Sequence, residues 1–132
     1  MALKLNDLVR SSLLNGGIRG SFGTASLKVY DGTQPGTGGA TSGTSVLLVT
    51  IGGITWNAAS NGTATLSASK TGTAGSTGTA AWARLTDGVS TTLMIDGACG
   101  TGASNDYVID TLVITAAAVI TLTSATLIQP AQ

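Results

Sequence analysis

Side chains that could carry catalysis are scarce in this sequence. The 132 residues include no His and no Glu, and Cys99 is the single thiol. Without His, the chain lacks the usual general base and the commonest metal ligand. A thiol with no imidazole to activate it is also a poor nucleophile. We therefore expect a protein that is not an enzyme, with no catalytic, cofactor-binding or metal-ligating residues.

The acidic residues are all Asp, and four of them stand at the ends of apolar segments: Asp87, Asp96, Asp106 and Asp110. Two such carboxylates could meet across a loop and bind Ca²⁺ together with backbone carbonyls. Two carboxylates flanking a glycosidic bond could also hydrolyse it. However, Asp followed by Gly is an ordinary turn dipeptide, and the spacing fits no calcium-binding loop. The pattern favours turns over a site.

Charge and hydropathy argue against several classes of partner. Charged residues make up 9% of the chain, the net charge is +0 and the mean hydropathy is +0.37. No basic stripe is present, so nucleic-acid binding is disfavoured. No apolar run reaches the ~18–20 residues of a membrane span, and the first residues do not resemble a signal peptide. A surface with so few charges has little self-repulsion and suits packing into a larger assembly.

Abundant Thr and Val, together with Gly-rich turns, predict an all-β domain. Turn signals divide the chain into about eight strands. The expected architecture is an antiparallel two-sheet sandwich, of jelly-roll or immunoglobulin-like type, with a short N-terminal helix. We place a helical arm at residues 1–17 and a single β-sandwich domain at residues 18–132.

The N-terminal helix is predicted from one apolar stripe formed by Leu5, Leu8, Val9 and Leu13. Asn15-Gly16-Gly17 should end it, because Asn and Gly adopt the left-handed conformation found after helices. A helix this short is marginal in isolation and needs a surface to pack on. Two alternatives stay open: the helix packs on its own sheet, or it docks on a neighbouring subunit.

Apolar and β-branched runs mark the strands, and the C-terminal run from Asp106 to Ile128 holds the longest of them. The runs predict strands at residues 25–30, 45–51, 63–68, 79–86, 91–96, 106–110, 111–115 and 119–128, with bulges after Gly52-Gly53 and near Ser124-Ala125. Residues 79–96 should form a hairpin. Residues 32–44 and 70–78 contain mainly Gly, Thr, Ser and Ala and are predicted loops. A loop as long as residues 32–44 either contacts a partner or is an inert connection.

Trp56 and Trp82 are the residues that could bind a sugar by stacking. A carbohydrate-binding module would expose such rings on a concave face. The alternation of residues around Trp82 allows either a buried or an exposed ring, and burial is the favoured interpretation.

Four motifs, in this order, resemble a group of small structural proteins encoded by tailed bacteriophages. They are Leu27-Lys-Val-Tyr-Asp-Gly-Thr-Gln-Pro35, Thr79-Ala-Ala-Trp-Ala-Arg-Leu85, Met94-Ile-Asp-Gly-Ala-Cys-Gly-Thr-Gly102 and Val119-Ile-Thr-Leu-Thr-Ser-Ala-Thr-Leu127. With the N-terminal helix, the likeness extends from about Leu5 to Leu127. It implies a component of the virion, made in the host cytoplasm.

Within that resemblance, the first interpretation is a capsid decoration (cement) protein. Such a protein would bind the major capsid protein on the capsid exterior, as a homo-oligomer (dimer or trimer), with no nucleic-acid or membrane partner. The residues expected at the partner interface are Leu5, Leu8, Val9, Leu13, Gln34 and Pro35. The alternatives are a tail, fibre or head–tail connector component, or a receptor-binding or carbohydrate-binding module.

Overall fold

The computed structural model describes residues 11–35, 45–87 and 94–128. A helical segment at residues 11–21 contains a π-helical turn, Leu14–Ile18. The strands that follow are β1 Ala25–Tyr30, β2 Leu47–Ile54, β3 Thr63–Thr65, β4 Lys70–Thr73, β5 Gly78–Thr79, β6 Trp82–Thr86, β7 Met94–Gly100, β8 Tyr107–Ile109, β9 Val113–Ile114 and β10 Val119–Ile128.

Most strands belong to one curled sheet with the order β2-β1-β6-β7-β8-β10-β3, in which β4 also pairs with β10; β5 and β9 form a separate two-stranded ribbon. Beyond β2 the chain runs alongside β3. There the Asn57 amide donates to the carbonyl of Thr65 (2.8 Å), and the Ser67 amide donates to that of Thr55 (2.9 Å). The two edges of the sheet therefore meet, and the sheet wraps around one core.

The predicted all-β class with one short helix is confirmed, and most strand pairs are antiparallel, as expected. The exception is β7 with β8, which run parallel with Cys99 opposite Tyr107. The prediction of a purely antiparallel sheet is therefore wrong at this pair. Parallel neighbours need a connection that carries the chain back, and residues 101–106 form it here.

The C-terminal strand β10 is the organising strand of the sheet, because it pairs with β3, β4 and β8. Its register shifts between Leu122 and Ser124, and the burial pattern changes phase at the same place. A bulge of this kind turns Ala125 and Leu127 back toward the core. The predicted bulges, here and at Gly52-Gly53 opposite β1, are confirmed to within about one residue.

The helix does not end at Asn15-Gly16-Gly17, and this prediction is wrong. The side chain of Asn15 accepts a hydrogen bond from the Ala59 amide (3.0 Å), and Ser11 accepts one from the Gly62 amide (3.1 Å). These contacts hold the segment on the 57–62 loop, so tertiary packing outweighs the low helix propensity of glycine. Leu14 is fully buried, whereas Leu13, which we placed on the apolar stripe, is 49% exposed.

Residues 70–78 are not the loop that their composition predicts, because Lys70–Thr73 forms β4. Gly72 explains the strand. A Cβ atom at this position would collide with the carbonyl oxygen of Thr50 in β2. Only glycine allows two backbones to approach so closely. The residue that argued for a loop is therefore the one that lets β4 pack against β2.

Candidate functional site

Two opposite ends of the curled sheet can be distinguished. The helix end comprises residues 11–24 and 54–66, and the loop end comprises residues 31–35, 45–48, 74–80 and 111–119. Strand β2 runs from the loop end to the helix end. Its eight residues separate the two ends by roughly 25 Å, at about 3.3 Å per residue.

Asp31 closes the base of the predicted contact loop at the loop end. Its carboxylate accepts a hydrogen bond from the Val46 amide (2.6 Å), and its own amide donates to the Val46 carbonyl (3.2 Å). The Ser45 hydroxyl also donates to the carbonyl of Thr33 (3.2 Å). The two limbs of the loop are therefore tied together where it leaves the sheet, and Gln34 projects outward with its side chain exposed.

The β5–β9 ribbon lies against this loop base. A Cβ atom at Gly78 would lie 3.1 Å from the Asp31 carboxylate and 2.8 Å from a methyl group of Leu48. The partner of Gly78 in the ribbon is Ile114, which is buried, and the adjacent Val113 is 65% exposed. The close approach fixes the ribbon beside the loop and presents Val113 on the same end of the molecule.

Exposed apolar side chains concentrate at the loop end: Val46, Leu47, Leu112, Val113 and Val119. Backbone hydrogen bonds connect their segments, since Gly75 donates to Leu48 (2.9 Å) and Ala74 donates to Ala118 (2.8 Å). We call these five side chains the loop-end apolar surface. Apolar residues clustered in this way, rather than scattered singly, are typical of an interaction site.

Behind the loop base, four side chains stack on the outer face of β1, β6 and β7. The rings of Tyr30 and Trp82 are 4.5 Å apart and nearly parallel, and the Trp82 indole donates to the Asp31 carbonyl (3.2 Å). Arg84 lies 5.4 Å from the centre of the Trp82 ring. It also pairs with Asp96 through two hydrogen bonds of 2.7 and 2.8 Å. This stack supports the start of the loop from below.

The protonation of the buried groups follows from these contacts. The hydrogen bond that Arg84 donates to Asp96 raises the pKa of Arg84, so the ion pair is held in its charged form. Burial raises the pKa of Tyr30, and it raises the pKa of Cys99 to about 12. A thiol with such a pKa is not a thiolate near neutral pH and has little reactivity. Cys99 is therefore a small packing residue of the core.

Two further carboxylates bind the backbone. Asp106 accepts a hydrogen bond from the Ala98 amide (2.9 Å), and Asp110 accepts one from the Thr121 amide (3.0 Å). In the described parts of the chain, no group of three or more His, Cys, Asp or Glu side chains could hold a metal ion. Asp106 and Asp110 therefore stabilise the backbone at strand ends.

Both tryptophans are buried, which agrees with the favoured interpretation of Trp82. Trp82 is inside the stack, and Trp56 donates from its indole to the Phe22 carbonyl (3.1 Å) at the helix end. Neither ring is available to stack on a sugar. The carbohydrate-binding alternative loses the two residues on which it depended.

The predicted interface residues are divided between the two ends. Leu13 is exposed at the helix end, whereas Gln34 is exposed and Pro35 half-buried at the loop end. Leu5, Leu8 and Val9 lie outside the described residues. Leu13 and the loop residues therefore lie at opposite ends of the sheet, and the partner interface stays a prediction.

Sequence reasoning missed the loop-end apolar surface. Val46 and Leu47 belong to a continuous apolar run, a pattern that by itself indicates a strand buried on both faces. The available signal was position: both residues precede the first core residue of the strand and directly follow the predicted contact loop. Val113 and Val119 flank the Thr115–Ala118 turn in the same way, because the Ala118 amide donates to Thr115 across it (3.0 Å).

Comparisons with protein-family models, with curated proteins and with solved structures found no match to this chain. In the described residues, no helix is both long enough and apolar enough to cross a membrane. Function must therefore be argued from the loop end and the helix end themselves.

Proposed function

We propose that the protein is a structural component of a phage virion, a capsid decoration (cement) protein that binds and stabilises the shell of major capsid protein. The observation that carries the proposal is the loop-end apolar surface beside the tied base of the contact loop. A cement protein needs a preformed surface that buries apolar area against the shell, since this burial provides most of the stabilisation.

The rigidity of the loop base supports this assignment. A surface that is already ordered loses little conformational entropy when it binds. Asp31 fixes one side of the surface through Val46, and the stack of Tyr30, Trp82 and Arg84 fixes the sheet beneath it. Gln34 and Pro35 stand at the rim, where polar groups normally surround an apolar centre.

The finer features of the proposal come from the sequence. These are a sandwich of jelly-roll or immunoglobulin-like type, a homo-oligomer (dimer or trimer), a position on the capsid exterior and a non-enzymatic role. The opposite walls of the curled sheet enclose a single core, as the two layers of a sandwich do. Low surface charge favours association between copies.

The test is to add the purified protein to phage capsids that genetically lack it and to measure both cryo-EM density and the temperature at which the shells disrupt. We expect ordered density over the shell, with the loop end facing inward, and a higher disruption temperature. Val113→Asp should abolish both effects, because it places a charge in the apolar contact without changing the buried core.

Ile128→Asp is the matched control. Ile128 is 62% exposed, almost the same as Val113, but it pairs with Thr63 at the helix end. Binding that survives Ile128→Asp and fails with Val113→Asp assigns the loop end to the shell. The reverse result moves the contact to the helix end. Density on the tail, or binding to a host glycan with no density on the shell, replaces the proposal with the tail or receptor-binding alternative.

A further inference from the structure

A second feature, at the helix end, is an open cleft of about 330 Å³ between the helical segment and the end of β2. Its lining residues are Asn15, Arg19, Gly20, Gly23, Thr55 and Trp56. Ligand sites start at about this volume, so the cleft suits a small group rather than a large molecule. Polar and apolar groups line it about equally, and Arg19 is the charged side chain among the described lining residues.

Arg19 is held in place by a single hydrogen bond, from its Nε to the Trp56 carbonyl (3.2 Å). That bond uses one of the five N–H groups of the guanidinium. The described residues offer no partner for the four N–H groups on its two terminal nitrogens. The bond at Nε therefore orients the guanidinium, and its bidentate fork is not engaged by the described part of the chain.

The described carboxylates that could neutralise Arg19 are engaged elsewhere. Asp96 pairs with Arg84, while Asp31, Asp106 and Asp110 each accept a backbone amide, and Asp87 has a partner as well. The chain contains no Glu. A counter-ion for Arg19 must therefore come from outside the described residues.

Asn15 adds a second donor to the cleft. Its side-chain oxygen accepts the Ala59 amide (3.0 Å), which leaves its NH₂ group as the end of the amide with no described partner. A guanidinium fork beside an amide NH₂ matches the two oxygens of a carboxylate, the geometry in which Arg binds most strongly.

We infer that this cleft binds a carboxylate group. The contact lies roughly 25 Å from the loop-end apolar surface, the length of β2, so it does not depend on the proposed function. Binding consists of hydrogen bonds and charge pairing only, and no covalent step takes place.

The experiment is an NMR titration of the ¹⁵N-labelled full chain with acetate and with glutarate, each against sodium chloride at equal ionic strength. We expect saturable shifts of the Arg19 Nε–H signal and of the Gly20, Gly23 and Trp56 amides, which line the cleft. Chloride should not reproduce them. Inorganic phosphate is titrated separately, and tighter binding of phosphate than of either carboxylate would overturn the assignment of the ligand.

Asn15→Asp is the decisive variant. It keeps the oxygen that accepts the Ala59 amide, so the helix contact is preserved, but it removes the NH₂ donor and supplies a carboxylate beside Arg19. Acetate binding should weaken about tenfold or more, since a charged hydrogen-bonded contact is lost. Arg19→Lys should weaken it by a similar factor because the planar fork is removed.

Lys28→Gln removes a positive charge on β1, away from the cleft, and should leave acetate binding unchanged. Thermal unfolding of each variant shows whether it is folded before its titration is interpreted. If folded Asn15→Asp binds acetate as well as the unaltered chain, or if Lys28→Gln weakens binding as much as Arg19→Lys, the cleft is not a carboxylate site.

Discussion

The helix end and the loop end of the curled sheet differ in how far each covers the apolar core. A sheet wrapped around a core leaves an opening at each end. At the helix end, Leu14, Phe22 and Trp56 are buried beneath or within the helical segment and the turn after it. At the loop end, the described residues provide no comparable cover, and five large apolar side chains remain exposed.

Because of this difference, the helix end contributes mainly to folding stability and the loop end mainly to contact with a partner. The helix end is completed within the chain by hydrogen bonds from Ala59 and Gly62 to the helix. The loop end is ordered by hydrogen bonds as well, but those bonds position apolar groups toward solvent instead of covering them. Substitutions of buried residues at the helix end should therefore cost folding free energy, whereas those on the loop-end apolar surface should cost binding to the shell.

The largest loss of folding stability is expected from a substitution in the helical segment. Leu14→Ala should lower the free energy of unfolding by about 2–5 kcal/mol, because it leaves a cavity under a fully buried side chain. Leu13→Ala, at the adjacent exposed position, should change it by less than about 0.5 kcal/mol. Chemical denaturation measures both. Equal losses at the two positions would mean that the helix does not close this end as described.

A smaller loss is expected where the sheet closes on itself. Gly72→Ala should cost about 1–3 kcal/mol, because the new methyl group meets the Thr50 carbonyl and forces β4 away from β2. Gly75→Ala is the control, since among the described residues nothing beyond its chain neighbours lies within 4 Å of its Cβ position. Denaturant unfolding of the two variants side by side would reveal similar stabilities if β4 did not pack on β2.

The smallest change in folding stability is expected at the loop end, and it is an increase. Ala117 has a φ of 71°, in the left-handed region that disfavours residues with a Cβ. Ala117→Gly should raise the free energy of unfolding by about 0.5–1 kcal/mol, because strain is released while the unfolded chain gains some entropy. Ala116→Gly, next to it, has no such strain to release and should lower stability slightly. Thermal melts that rank the two variants in the opposite order would contradict the strain at residue 117.

The sequence allowed the strands with β-branched alternation to be predicted closely. Ala25–Tyr30 and Val119–Ile128 have the predicted bounds, and the pairing of β6 with β7 was expected from the hairpin pattern. Alternation predicts these elements because side chains on a strand point to opposite faces with a period of two. The exposed position of Gln34 in the candidate interface also followed from loop composition.

Other features could not be predicted because they depend on residues distant in the chain. The strand at Lys70–Thr73 exists because Gly72 lies against Thr50, a contact that no local pattern records. The parallel pairing of β7 and β8 also depends on which strands meet in the folded sheet, and no local pattern predicts it. The Arg19 cleft needed the helix to continue past Gly16-Gly17 and reach Trp56.

The amino-acid sequence by itself determined the all-β class, the principal strands and the scarcity of catalytic side chains, since these follow from composition and from short-range alternation. The tertiary structure alone decided which end of the sheet the helix covers, which apolar residues remain exposed, and which carboxylates are already engaged. Those outcomes depend on contacts between segments 30 or more residues apart, such as Arg19 with Trp56, and local preferences of a few tenths of a kcal/mol per residue do not fix such contacts.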